Sequence, residues 1–118
     1  TGDLHEVIIG MKRDPQFGPA IMFGLGGIMV EIMKDVSFRI TPVDKKTALE
    51  MIKEVQAIKV LQGARGKRPA DLDKLAEIIT KTSKMAEKHE EITELDFNPV
   101  IAYGDKAIVV DARIKVRD

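Results

Sequence analysis

The sequence predicts an α+β fold with a largely antiparallel sheet and two helices packed on it. Three observations carry this expectation. Short β-branched runs broken by glycine and proline fill residues 1–40, two amphipathic helical patterns occupy the middle, and β-rich sequence returns at the end. Strand and helix do not alternate, which argues against a doubly wound parallel sheet. With 118 residues, 44% of them apolar, one domain over 1–118 with its own core is expected, and a wholly disordered chain is excluded.

The elements follow in order. Residues 6–11 are short, β-branched and followed by charge, as a strand requires. Residues 12–19 read as a loop, because Pro15 and Pro19 remove backbone donors and Gly18 permits unusual torsions. Residues 20–23 and 28–33 flank Gly24-Leu25-Gly26-Gly27, which suggests a hairpin with a glycine-built turn. Residues 36–40 form a weakly alternating strand. Asp44 is placed to cap a helix in which Ala48, Ile52, Val55, Ile58 and Leu61 share a stripe, with Gly63 placed to stop it. A basic, glycine-rich loop follows at 62–69. A second helix starts near Asp71, with Leu72, Leu75, Ile79, Thr82 and Ala86 on one face. Residues 92–101 and 107–116 are strands joined by a turn at 103–106.

Composition excludes several functions. Nineteen Lys and Arg balance nineteen Asp and Glu, so no general electrostatic grip on nucleic acid or an anionic membrane is expected. There is no cysteine, which removes disulfides, thiol catalysis and cysteine-ligated metals. His5 and His89 are isolated, so no histidine-rich metal site can form. No apolar run approaches the ~20 residues that span a bilayer. The first residues lack the basic-then-apolar pattern of a signal peptide, and a cytoplasmic location is expected.

The most informative stretch is Glu94-Leu95-Asp96-Phe97-Asn98-Pro99. In a strand alternate residues share a face, so Glu94, Asp96 and Asn98 point one way while Leu95 and Phe97 anchor in the core. If Gly104-Asp105 forms a two-residue hairpin loop, Asn98 lies opposite Asp111 and Asp96 opposite Arg113. Directly opposed Cβ atoms are about 4.5–5.5 Å apart, close enough for an amide oxygen and a carboxylate to share one hard cation. A slip of one residue would send the two to opposite faces. On geometry alone two readings stand: a Mg²⁺-binding face, or an ordinary solvent-facing hairpin with an Asp96–Arg113 ion pair.

Five motifs occur in order: Val7-Ile8-Ile9-Gly10-Met11-Lys12-Arg13-Asp14-Pro15-Gln16-Phe17-Gly18-Pro19, Gly24-Leu25-Gly26-Gly27-Ile28-Met29-Val30-Glu31, Gly63-Ala64-Arg65-Gly66, Glu94-Leu95-Asp96-Phe97-Asn98-Pro99 and Val110-Asp111-Ala112-Arg113. Together they resemble the C-terminal part of the ATP-grasp domain of ADP-forming acyl-CoA synthetases (acetate–CoA ligases), relatives of the succinyl-CoA synthetase β subunit. The resemblance implies an acid–thiol ligase that converts acyl-CoA, ADP and phosphate into the acid, CoA and ATP. Its phosphoryl group travels on a phosphohistidine of a CoA-binding subunit or domain. It implies Mg²⁺ and ATP/ADP as cofactors, with Asn98 and Asp111 on the metal-ligand positions. Asp96 falls on the carboxylate facing the travelling histidine, one methylene shorter than the glutamate of the succinyl-CoA synthetase relatives.

The resemblance also implies what must come from elsewhere: the nucleotide-binding N-terminal part, the CoA-binding domain and the phosphorylated histidine, so an oligomer and negligible turnover by this chain alone are expected. Glu31 and Arg39 are the candidate nucleotide contacts. Glu31 reads equally as a strand residue at a cleft edge, and Arg39 as a partner in a surface ion pair with Asp35 or another acid. Gly24-Leu25-Gly26-Gly27 lacks the lysine and hydroxyl of a P-loop. Arg65, Lys67 and Arg68 could steer an anionic nucleotide or CoA, or simply be solvated. Two other functions fit the same residues: a regulatory synthetase-like module of a protein acetyltransferase, and a non-catalytic interaction domain.

Overall fold

The computed structural model describes residues 4–26, 35–56, 58–63 and 68–117, and these begin with a long hairpin. Strands β1 (His5–Asp14) and β2 (Gly18–Leu25) pair antiparallel from Val7↔Leu25 to Asp14↔Gly18. The stretch expected to be a loop at 12–19 is therefore strand on both sides of a short turn. Asp14 Oδ1 accepts the N–H groups of Gln16 (2.8 Å) and Phe17 (2.9 Å), and Gly18 takes φ +88°. An Asx motif and a glycine in left-handed torsion suffice to reverse the chain there.

A glycine-built turn at Gly24-Leu25-Gly26-Gly27 is not what the described part of that motif forms. Gly24 and Leu25 stay in β2, paired with Ile8 and Val7, and Gly24 also faces Val36. Gly26 donates its N–H to the Glu6 carbonyl at 2.8 Å. A Cβ on Gly26 would lie 3.1 Å from Glu6 Cβ, so this glycine serves a close backbone approach. Gly27 and the expected second strand at 28–33 lie outside the described residues.

Strand β3 (Val36–Ile40) adds to β2, while β4 (Ile92–Tyr103) adds to the other side of β1. The outer edge of β4 carries two shorter strands, β5 (Lys106–Val109) and β6 (Ala112–Val116). The order is β3-β2-β1-β4-β5 with β6 also on β4, antiparallel at every described pairing, as the fold class requires.

Helices α1 (Lys45–Glu54) and α3 (Leu72–Lys88) pack on each other and cover one face of this sheet. Val7 and Ile9 of β1, Ile21 and Phe23 of β2 and Val100 of β4 are fully buried against Met51, Ile52, Leu75 and Ile79. Burying side chains of this size contributes about 1.5–3 kcal/mol each, which is why two separated hydrophobic stripes collapse onto one sheet face. No helix among the described residues is long and apolar enough to cross a membrane.

Both helix starts lie where the sequence places them. Asp44 and Asp71 are the N-caps, their carboxylates accepting the N–H groups of Thr47 (2.8 Å) and Lys74 (3.2 Å). The hydrogen bonds from Thr47 hold the Asp44 carboxyl below its ordinary value. A folded-state pKa below the unfolded one means that the cap stabilises fully above the unfolded value of 3.8 and is lost as pH falls through the folded one. Amide exchange at Thr47 is therefore expected to accelerate as pH is lowered below about 4, beyond the intrinsic trend. Asp44→Asn, which cannot titrate, should flatten that dependence.

The first helix ends earlier than its stripe suggests. Val55 is extended, with ψ 141°, and a single turn, α2 (Ile58–Leu61), follows. The Asp35 carboxylate accepts the Gln56 N–H, an off-helix bond that competes with continuing the ladder. Val55 and Leu61 still reach the core, at 2% and 1% exposure. Gly63, at φ +105°, closes this segment as expected.

Arg13 makes a tertiary connection that local sequence does not announce. Its Nε donates to the Ile92 carbonyl at 2.6 Å, and one terminal nitrogen donates to the carbonyls of Ala86 and His89, each at 2.7 Å. The end of α3 and the entry to β4 are thereby clamped onto β1. The cation also meets the negative end of the helix dipole.

Candidate functional site

Strand β4 is the element on which the candidate side chains stand. Leu95 is buried, and Phe97 packs against the core from its partly buried position. Their neighbours Glu94 and Asp96 therefore face the side of the sheet that carries no helices. Across β4, Glu94 faces Lys115, Asp96 faces Arg113 and Phe97 faces Ala112. Further along, Tyr103 faces Lys106 across a turn in which Gly104 takes φ +58°. This is the register set by a two-residue loop at Gly104-Asp105.

The two stretches meet between these pairs. Asn98 donates its N–H to the Asp111 carbonyl at 3.1 Å, and Val110 donates to the Pro99 carbonyl at 3.0 Å. Asn98 is thus opposite Asp111, two residues along each strand from the Asp96–Arg113 pair. Beyond Pro99 the alternation changes phase: Val100 and Ala102 are buried, and the β1–β4 register shifts between Val7 and Ile9. Asn98 and Asp111 sit at this irregular seam, both exposed to solvent.

None of the ion pairs among the described residues uses Asp96, Asp111 or Arg113, although Asp96 and Arg113 are directly opposed. Glu94, by contrast, is occupied by Lys115 (3.3 Å) and Lys12 (3.9 Å). An amide oxygen and a carboxylate on opposed strands are hard donors of the kind Mg²⁺ accepts. Among the described residues no three His, Asp or Glu side chains gather to hold a metal by themselves. A cation at Asn98 and Asp111 would draw its remaining ligands from water and phosphate oxygens, which is the usual Mg²⁺ arrangement.

Beside Asp96 the open face forms a groove of about 390 Å³. Gly10, the β1 partner of Asp96, is its bare floor; Met22 and Phe38 give it apolar sides; Lys12 and Glu94 charge its rim. A Cβ on Gly10 would stand 3.1 Å from the Leu95 carbonyl and 3.8 Å from Met22 Cε. Sequence reasoning missed Gly10, although a glycine inside a β-branched run is a known sign of close approach. Phe38 is 58% exposed, a large ring left uncovered on this face.

The other expected contacts fall elsewhere. Arg39 pairs with Ile21, a core residue, so its side chain leaves on the helix-covered side of β3. There it holds Glu54 of α1 through both carboxylate oxygens, one at 3.0 Å. This pairing keeps the Glu54 carboxyl below the usual carboxylate range. The parity of β3 thus places Arg39 on the helix-covered side, in an ion pair that ties β3 to α1, which is the second of the two readings the sequence offered. Glu31, Arg65 and Lys67 lie outside the described residues. His5 is buried with Nε2 2.7 Å from the Arg68 carbonyl, and His89 is 3.3 Å from Glu91.

The sheet is thus covered by helices on one side and left open beside Asp96 on the other. Residues 2–116 match the model of the ATP-grasp domain, and the chain belongs to that family. It is 60% identical over 110 residues to the β subunit of ADP-forming acetate–CoA ligase I of Pyrococcus furiosus, covering 93% of this chain and 47% of that subunit. It is 47% identical to the ADP-forming 4-hydroxybutyrate–CoA ligase of Nitrosopumilus maritimus, covering 92% of this chain and 16% of that enzyme. Among solved structures it matches the dinucleotide-forming acetyl-coenzyme A synthetase 1 of Ca. Korarchaeum cryptofilum in complex with coenzyme A and Mg-AMPPCP, its phosphohistidine segment pointing towards the nucleotide-binding site. The TM-score is 0.92 at 50% identity, over 96% of this chain and 53% of the other. The chain thus spans about half the length of these subunit-sized relatives.

Proposed function

We propose that this chain is the C-terminal, Mg²⁺- and ATP/ADP-binding part of an ADP-forming acyl-CoA synthetase. The observation that supports the proposal is the backbone hydrogen bond that sets Asn98 opposite Asp111. In the direction of ATP formation, the N–P bond of a phosphohistidine breaks as a β-phosphate oxygen of ADP forms the new P–O bond. The metal would neutralise charge on the phosphate oxygens, the main chemical requirement of such a transfer. Asn98 and Asp111 would hold it against the hairpin.

Asp96 would accept an N–H from the incoming imidazole and orient the ring, the part a carboxylate commonly plays beside histidine. The bare floor at Gly10 leaves room for a ring to lie beside that carboxylate. The histidine belongs to a CoA-binding subunit or domain, the rest of the nucleotide pocket to the N-terminal part of the ATP-grasp domain. The working enzyme is a cytoplasmic assembly larger than this chain. The identity to two acetate–CoA ligase β subunits, 60% and 54%, supports this reading.

The test is reconstitution. The chain is combined with the nucleotide-binding half and the CoA-binding subunit of the Pyrococcus furiosus type, and ATP formation from acetyl-CoA, ADP and phosphate is followed. ATP is expected from the full mixture and none from the chain alone. A mixture that forms phosphohistidine yet yields no ATP, or turnover by the chain alone, would reject the proposal.

A further inference from the structure

Phe38 pairs with Met22, Met22 with Gly10 and Gly10 with Asp96, so four strands place one residue each on a single line across the sheet. All four stand on the helix-free face. Their strand neighbours Ile9, Met11, Ile21, Phe23 and Leu95 are core residues, and the Ser37 hydroxyl donates to the Met51 carbonyl of α1. From β3 to β4 the row runs aromatic ring, thioether, no side chain, carboxylate. Neighbouring strands lie about 4.7–4.9 Å apart, so the Met22 and Asp96 backbones stand about 9–10 Å apart with only Gly10 between them. Met22 leans over this gap, its Cε 3.8 Å from the place a Gly10 Cβ would take. Asp96 enters no ion pair among the described residues, which leaves its carboxylate to accept an N–H from above the gap. An apolar wall, a bare floor and an acceptor wall suit a flat ring with an N–H on one edge.

We propose that Met22 and Phe38 complete the seat of the incoming histidine, an inference that rests on the synthetase reading above. The imidazole stands over Gly10, donates its free N–H to Asp96 and lays one face against the Met22 thioether, a polarisable partner for aromatic rings. Its phosphorylated nitrogen points out of the slot, because neither Met22 nor the Asp96 carboxylate offers a donor to a phosphoryl oxygen. The groove of about 390 Å³ exceeds one imidazole. Phe38, 58% exposed at its side, is left to an apolar side chain adjoining the histidine. A purine, also flat and bearing an N–H, is the occupant the test must separate from the histidine.

The chain, carrying ¹³C-methyl methionine, is mixed with the nucleotide-binding half and the CoA-binding subunit of the reconstitution, and its methyl signals are followed by NMR. The Met22 methyl is expected to move upfield in the ring current of the imidazole, while fully buried Met51 stays in place. A subunit with alanine for its histidine should leave Met22 unmoved. In the assay, Phe38→Ala and Met22→Ala should raise KM for the phosphorylated subunit about tenfold and about fivefold with kcat nearly kept, the pattern of lost binding common to ground and transition states. Met22→Leu, which conserves volume, should recover part of that loss. A Met22 shift produced by Mg-ADP without the subunit, an equal shift with the alanine subunit, or unchanged KM in both alanine variants would overturn the proposal. ATP formed while Met22 stays unmoved would remove the seat and leave the synthetase reading standing. A histidine-dependent shift without ATP would do the reverse, and neither shift nor ATP would remove both.

Discussion

Asp111→Ala is expected to lower ATP formation by the reconstituted enzyme at least ~100-fold, equivalent to about 2.7 kcal/mol of transition-state stabilisation. The expectation rests on placement. Asp111 is exposed, in no ion pair among the described residues, and opposed to Asn98 by a backbone hydrogen bond of 3.1 Å. Removing its carboxylate takes away the only formal charge of the proposed ligand pair and should cost the fold little, because surface substitutions away from special features usually lie within about 0.5 kcal/mol. Asn98→Ala should behave alike, whereas Asn98→Asp keeps a hard oxygen and should retain cation binding. A second readout is independent of turnover: Mn²⁺ added to the chain should broaden the NMR signals of Asn98 and Asp111 first, and Asp111→Ala should remove that selectivity. Full activity in both alanine variants would eliminate these residues as ligands.

Arg13→Ala is expected to have the largest effect on stability, about 3 kcal/mol, seen as a fall of about 10 °C in the melting temperature. Its guanidinium satisfies three carbonyls, those of Ala86, His89 and Ile92, at 2.6–2.7 Å. A hydrogen bond to a charged group contributes about 1.5–3 kcal/mol, and an acceptor left without a partner out of water costs more than the lost bond alone. Arg13→Lys keeps the charge at the helix end but not the planar fork of donors, so it should recover only part of the loss. Unfolding by urea measures both; an alanine variant as stable as the parent would show that water replaces the clamp without cost.

The legible part of the structure was local. The caps at Asp44 and Asp71 announce themselves because a carboxylate ahead of an amphipathic run has one good local use. The register of the last hairpin was readable for a similar reason: Gly104-Asp105 permits a two-residue loop, and counting outward from it sets Asn98 against Asp111. The turn at Gly24 misled because glycine signals both reversal and close approach, and only the neighbouring β1 backbone distinguishes them. Asp35 shortens the first helix from 21 residues away, and Arg13 reaches carbonyls more than 70 residues distant. Such bonds leave no periodic trace. The parity of Arg39 was open because a five-residue strand with weak alternation does not say which face is covered.

The seam in β4 constrains how the hairpin can vary. Asn98 and Asp111 are held by one strand on one side and by two successive strands on the other, so their meeting depends on how many residues the chain spends going out and back. Lengthening the tip beyond Tyr103 and Lys106 symmetrically would leave the rendezvous intact. A single inserted residue between the seam and the tip would throw one donor out of step with the other. Variation in this arm should therefore arrive as matched additions at its end, while the base admits substitutions but not changes of length.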